Sequence, residues 1–357
     1  MKINFVLLEP KRRPSGGYKM VYEYANRLSA RGHEVAIIFN CYEDWQRRSK
    51  VPDFIKYLWY HLRVKYLPRW FSLNPNVKKI CSYKVVNETV VPEADIVCAT
   101  AVSTASFVSS LPQSKGKKMY FIQDFEAWGD WTPEMVKRTY HLGLKNVVIA
   151  KWLQKILKEA DAECVLIPNG IDFDVFNIDI PIASRRKHVI SMLYHVSPHK
   201  GSKYGVEAII RLKQKYTDLQ AIIFGARKRP ENLPTWIQYV QNASQKQLRE
   251  IYNRSTVYLY PSIKEGFGLT GAEAMACGAA YVASDYGGVH EYTENARNVL
   301  LSPPKDADGL VKNVTYLFEH DDKRIELAQH GYEDIQRLDW NKSVDKFEAV
   351  MQELVES

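Results

Sequence analysis

Two glutamates and two glycines in one short stretch carry the clearest chemistry in this 357-residue chain: Glu265, Gly266, Gly268 and Glu273, within PSIKEGFGLTGAEAMACG. An apolar run, Val257–Tyr260, precedes them and reads as a buried strand. Gly266 and Gly268 let the backbone bend close to a ligand. The residues from about Thr270 to Cys277 are good helix formers, and Gly278 stands where a helix C-cap glycine belongs. A strand, glycine loop and helix in this order point free N–H groups and a positive dipole end at an anion. The carboxylates would repel phosphate but suit hydroxyls on either side of one, as on a sugar and a ribose. The local chemistry therefore points to a nucleotide sugar, although a strand–loop–helix unit with surface glutamates would carry the same residues.

Glu265 and Glu273, with the GFG turn and the A-E-A-M-A-C-G helix, resemble the E-x7-E signature of retaining family-4 glycosyltransferases of the two-domain GT-B fold. The resemblance implies that Glu265 binds the donor sugar and that the amides of Gly266, Phe267, Gly268, Leu269 and Thr270 approach sugar and diphosphate. It implies that Glu273 holds the ribose. The family also carries an arginine and, five positions on, a lysine on the diphosphate; here Lys200 matches the lysine and His195 stands in place of the arginine. Arg227 is the cation that could compensate, because a neutral histidine is a weaker phosphate partner than a bidentate arginine.

The elements that must position these groups alternate between strand and helix, which implies a doubly wound α/β architecture. Residues 3–8 read as a first strand and PKRRPSGGYK as a loop. Met20 to about Ala30 reads as an amphipathic helix and Val35–Phe39 as the second strand. Gly16 and Gly17 fit simple turn chemistry; the resemblance makes them a backbone surface facing the donor from the opposite domain. Strands at 95–101 and 118–123 follow, and the latter ends in Gln123, Asp124 and Glu126, candidate acceptor-side residues at a strand's C-terminal end. The family often has a histidine at the position of Gln123, near the donor's 6-hydroxyl, and the QDFE run is similar to that of rhamnosyltransferase-like members. A 6-deoxy sugar such as that of dTDP-rhamnose is the donor this departure implies. The I-P-N-G-I-D run ending at Asp172 resembles the family's crossing into its second domain. Asp172 and Asp174 form a D-x-D that reads as capping or hinge chemistry, and no His/Asp/Cys cluster has metal spacing.

The second domain reads as a strand from about His188, a helix from Tyr204 to Tyr216 and a strand over 220–224. Beyond the central motif come a strand over 280–284, a turn at Gly287-Gly288, and His290-Glu291 leading a helix. Amphipathic helices then occupy 306–319 and 323–337, and a last helix runs to Val355. The expected fold is two Rossmann-like domains facing a cleft (GT-B), divided as residues 1–175, 185–337 and a return helix over 338–357.

Composition constrains the rest. Hydrophobic content of 46% with 25% charged residues is that of a soluble globular chain, and no apolar run approaches a bilayer span or a secretory signal. Five scattered cysteines fit reduced thiols in a cytoplasmic protein. Of the net charge of +8, residues 1–172 carry +9 and the remainder −1. Much of that excess lies in an insertion at 45–79, which holds nine Lys/Arg, one acid and eight aromatics (Trp45 among them). Phe54, Leu58, Leu62 and Tyr66 recur there at helical spacing. The insertion reads either as a helix packed on the core with a solvated basic face, or as a surface for anionic lipid headgroups engaged through Arg63, Lys65 and Arg69. Nucleic acid is the weakest reading, because no binding module accompanies the patch.

The function expected is transfer of a sugar, with retention, from a nucleotide-diphosphate donor to a glycan or lipid-linked acceptor of a bacterial surface polysaccharide. No cofactor or metal is expected, and the location is cytoplasmic or peripheral at the inner membrane face. The alternatives are a nucleotide-sugar epimerase of the same fold and a non-catalytic nucleotide-sugar-binding lobe.

Overall fold

Strands buried on both faces read as nearly continuous apolar runs, and such runs form the central strands of the two sheets of this protein. The computed structural model describes residues 1–41, 51–83 and 88–357. The chain divides into two units, residues 1–168 with 341–357, and residues 169–340. Trp45 and the rest of 45–50 lie outside the described residues.

In the first unit the elements run β1 (Lys2–Leu8), α1 (Gly16–Ala30), β2 (Glu34–Asn40), α2 (Asp53–Tyr66), β3 (Lys78–Ser82), β4 (Ile96–Ala99) and α3 (Val102–Ser110). They continue with β5 (Lys117–Ile122), α4 (Pro133–Thr139), β6 (Lys145–Val148), α5 (Lys151–Glu159) and β7 (Val165–Leu166). All described pairings are parallel, in the order β3-β2-β1-β4-β5-β6-β7. Ile3 of β1 stands between Val35 and Ile96, so the register sets apolar residues beside one another across the sheet.

The second unit has β8 (Val189–Leu193), α6 (Ser202–Lys215), β9 (Gln220–Gly225), β10 (Gln238–Gln241), α7 (Gln245–Arg254), β11 (Val257–Tyr260) and α8 (Leu269–Ala276). After these come β12 (Ala280–Ser284), β13 (Leu300–Ser302), α9 (Ala307–Glu319) and α10 (Asp321–Ile335). Its sheet is parallel in the order β10-β9-β8-β11-β12-β13. Ile190, Ile223, Leu259 and Val282 of the strands pack with Ile209, Leu212, Val314 and Leu317 of the helices in one core. Both sheets thus have the doubly wound order in which the direction of the crossovers reverses beside the first strand.

The last helix, α11 (Trp340–Glu356), returns to the first unit. Phe347 is buried there, with its ring 4.4 Å from that of Tyr24 and 5.6 Å from that of Phe121. Arg31 holds Asp345 and Glu348, each at 2.7 Å.

Three local expectations are corrected. Gly16 and Gly17 are the first turn of α1 rather than loop; the first helical turn leaves its N–H groups unpaired, so glycine costs less there than in a helix interior. His290 and Glu291 do not lead a helix but belong to a short 3-10 turn, Gly287–Glu291. Arg63 does not face outward: it bonds Glu9 Oε2 at 3.0 Å and the Pro10 carbonyl at 2.9 Å.

Candidate active site

Where neighbouring parallel strands send their crossovers in opposite directions, the loops at their C-terminal ends part and leave a crevice. In the second unit this point lies between β8 and β11. The loop after β8 carries His195 and Lys200; the loop after β11 carries Glu265 to Gly268; Arg227 follows β9 and is exposed.

The two main loops are fastened together. The Ile263 N–H donates to the His199 carbonyl at 2.8 Å, and the Lys264 N–H donates to it at 3.2 Å. Gly201, at φ +61°, makes the approach feasible, since a Cβ there would lie 1.9 Å from the Pro261 carbonyl oxygen. The result is a contact between residues 65 positions apart: Lys200 Nζ donates to Glu265 Oε1. The same oxygen accepts from Tyr260 Oη at 2.5 Å and Ser262 Oγ at 3.2 Å. Among the described residues no hydrogen bond reaches Glu265 Oε2, so one carboxylate oxygen is anchored and the other is left for a ligand. The sequence assigns the cation and the carboxylate to different parts of a donor; the structure pairs them.

His195 is not a cation. Its Nδ1 accepts from the Ser197 N–H at 3.0 Å, so the neutral ring carries its proton on Nε2. Burial lowers its pKa, and the nearby charges of Lys200, His199 and Arg227 lower it further. The imidazole can donate one hydrogen bond but adds no charge.

Beyond Glu265 the backbone turns through Gly268, at φ +87°, into α8. The N–H groups of Phe267, Gly268, Leu269 and Thr270 find no acceptor among the described residues. Four such donors at a helix N-terminus are a place for phosphate. A wall of tyrosines holds this turn: Tyr292 Oη donates to the Gly268 carbonyl at 2.9 Å, Tyr286 lies 3.1 Å from Tyr292, and Tyr281 lies 3.0 Å from Tyr286. A Cβ on residue 268 would come within 2.1 Å of Tyr286 Oη. Sequence reading missed these tyrosines; the available signal is polar-tipped rings in otherwise apolar runs, which need partners when buried.

Glu273 is only 3% exposed, and Tyr252 Oη of α7 donates to its Oε2 at 3.3 Å. The packing of α8 against α7 and α10 turns this position inward.

In the first unit the corresponding point lies beside β1 and β4. Gln123 Nε2 donates to the Gly17 carbonyl at 3.2 Å, joining the end of β5 to the start of α1. Asp124 Oδ1 accepts from the Phe125 N–H at 2.8 Å. Glu126 accepts from the Val102 N–H, which opens α3. Burial, with a smaller effect of Asp124, pushes the Glu126 carboxyl up to about 7, against the Val102 bond that favours its charged form. Asp172 Oδ1 accepts from the N–H groups of Asp174 (3.2 Å) and Val175 (3.3 Å), as a turn cap does. Among the described residues no group of three or more His, Cys, Asp or Glu is placed to hold a metal ion.

Residues 177–334 match the family model for glycosyl transferases group 1. An N,N'-diacetylbacillosaminyl-diphospho-undecaprenol alpha-1,3-N-acetylgalactosaminyltransferase of Campylobacter jejuni is 27% identical over 44% of this chain and 42% of its own length. A phosphatidyl-myo-inositol mannosyltransferase of Mycolicibacterium smegmatis is 26% identical over 50% of this chain and 49% of its own. The chain thus matches about half the length of these curated relatives or less. Among solved structures, a sucrose-phosphate synthase from Thermosynechococcus elongatus superposes with a TM-score of 0.77 at 17% identity, covering 99% of this chain and 98% of its own. Anabaena HepE in complex with UDP-glucose gives 0.72 at 15% identity, covering 98% and 99%. The protein is therefore built on the GT-B fold of two Rossmann-like domains, and its second unit matches the group 1 glycosyl transferases.

Proposed function

We propose that the protein is a glycosyltransferase that moves a sugar from a nucleotide-diphosphate donor to a glycan or lipid-linked acceptor, with retention of configuration. The observation that carries the reading is the convergence, at one switch point, of four unpaired amides with the Lys200–Glu265 pair. The diphosphate would lie on the amides and draw on Lys200, while Glu265 Oε2 orients sugar hydroxyls. Glu273, on α8, serves the ribose. The bond from C1 to the phosphate oxygen breaks as the acceptor oxygen attacks C1 on the same face. The acceptor's proton passes to the departing phosphate oxygen. A lipid-linked acceptor is supported by the diphospho-undecaprenol and phosphatidyl-myo-inositol in the names of the two relatives.

Within this reading the donor is a 6-deoxyhexose, with dTDP-rhamnose as the first to try. The support is the QDFE run, with Gln123 where the resembled family often has a histidine. The experiment is transfer from labelled dTDP-rhamnose and UDP-glucose, competed in one assay with lipid extract as acceptor source. Acceptor-dependent transfer is expected, faster from dTDP-rhamnose. Faster transfer from UDP-glucose would refute the deoxy-sugar assignment alone. Epimerised or merely bound nucleotide sugar, with no transfer to any acceptor, would refute the transferase.

A further inference from the structure

We propose that α2 is a docking helix that seats the first unit on an anionic lipid surface. The helix rests on its own unit by a narrow face: Tyr60 and Val64 are buried, at 1% and 3% exposure. Arg63 reinforces that face through Glu9 and stacks under Trp59 at 4.4 Å. The other side is apolar and open. Phe54, Leu58 and Leu62 fall four residues apart in one stripe, at 73%, 59% and 43% exposure, with Ile55, Trp59 and Tyr66 exposed beside them. Single exposed hydrophobic residues are ordinary, but six contiguous ones on one 14-residue helix mark an interaction surface.

Charge decides which occupant fits. Lys65 and Arg69 are exposed along the same segment, and Arg12 and Arg13 are exposed on the loop that Trp70 Nε1 holds through the Lys11 carbonyl at 3.0 Å. Between residues 51 and 79 the sole acid is Asp53. An apolar stripe with aromatic rings and a basic rim matches the boundary of an anionic bilayer, where rings sit at headgroup level and cations meet phosphates. A second copy would instead bring two basic rims together. The helix lies on the surface rather than across it, since no helix among the described residues is long and apolar enough to span a membrane. The docking surface stands on these exposures. Its use, bringing the enzyme to a lipid-linked acceptor, rests on the transferase reading.

The test is sedimentation of the full chain with phosphatidylglycerol-containing and with pure phosphatidylcholine vesicles, at low and high salt. Nucleotide-diphosphate binding is titrated in parallel. The wild type is expected to partition to the anionic vesicles and to be released by salt. Phe54→Ser with Leu58→Ser should lower partition by at least about tenfold, and Lys65→Glu with Arg69→Glu by a similar factor. Both variants should keep the melting temperature and the nucleotide affinity, because none of these side chains is buried. Equal partition of wild type and variants, or no partition of the wild type, overturns the proposal. So does a wild-type dimer in light scattering that the Phe54/Leu58 variant abolishes, since α2 would then be a subunit interface. Vesicle binding with no nucleotide binding supports the docking helix while removing the transferase reading.

Discussion

Glu265 meets Lys200, Tyr260 and Ser262 at a single oxygen, so substitutions there separate charge from geometry. Lys200→Ala should lower transfer efficiency about tenfold to a hundredfold, the scale of a lost charge-assisted hydrogen bond of about 1.5–3 kcal/mol. Tyr260→Phe should cost about fivefold to tenfold by loosening the carboxylate without removing it. Circular dichroism should be unchanged in both; wild-type kinetics in both would remove this pair from the donor site. Gly268→Ala should abolish nucleotide binding, since its Cβ meets Tyr286 Oη and its φ is left-handed. Adding Tyr286→Phe removes the 2.1 Å contact but leaves Tyr292 Oη at 2.9 Å and the backbone strain, so the double variant should recover binding only in part. A double variant no better than the single one would show that the tyrosine wall does not shape this turn. At Glu126 the prediction concerns pH. Its carboxyl is raised from 4.5 to about 7 by burial, so between these values the folded chain holds a proton that the unfolded chain has lost. Its contribution to stability is therefore full below about 4.5 and declines as pH rises through about 7. Glu126→Gln, which keeps an oxygen for Val102, should gain stability relative to wild type across that window. Parallel stability curves in urea from acid to neutral pH would contradict this.

At the scale of elements, α11 is fastened to the first unit by Phe347 and by the Arg31 cluster with Asp345 and Glu348. Phe347→Ala should destabilise that unit by about 3–5 kcal/mol, the usual range for an emptied aromatic site. It should lower the urea midpoint followed by probes in residues 1–168. A midpoint within error of wild type would mean that the helix is only loosely attached. The strands at 3–8, 257–260 and 280–284 were legible because parallel strands are buried on both faces and read as unbroken apolar runs. The helices α7 and α2 show the limits of that reading. α7, QKQLREIYNR, is mostly polar and buries only Ile251, Tyr252 and Asn253, so no apolar run marks it. α2 has a clear period, but periodicity does not say which side of a stripe faces protein, and here Tyr60 and Val64 face inward rather than Phe54 and Leu58. Lys200, Glu265 and the glycine turn are legible in the sequence as candidates for the site. Their mutual pairing was not, because it depends on how closely Gly201 lets the chain approach Pro261. Glu273 was legible as a motif residue but not as a buried one, since its covering comes from α7 and α10.

Over the whole molecule the charge is divided as the proposed labour is. The first 172 residues carry +9, suited to an anionic surface or acceptor, while the remainder, with the donor site, is nearly neutral. With no net positive charge in that half, the amides of α8 carry much of the attraction for phosphate, beside Lys200. Transfer should accordingly persist in EDTA; activity abolished by chelation and restored by a divalent ion would return Asp172 and Asp174 to consideration as ligands. The central claim is that the loops after β8 and β11 form a nucleotide-diphosphate site. Isothermal titration of wild type, Lys200→Ala and Gly268→Ala with UDP and dTDP tests it most directly. The account predicts one site per chain in the wild type, binding weakened about tenfold or more by Lys200→Ala, and none detectable in Gly268→Ala. Equal affinity for either nucleotide in all three proteins, or no binding by the wild type, would contradict it.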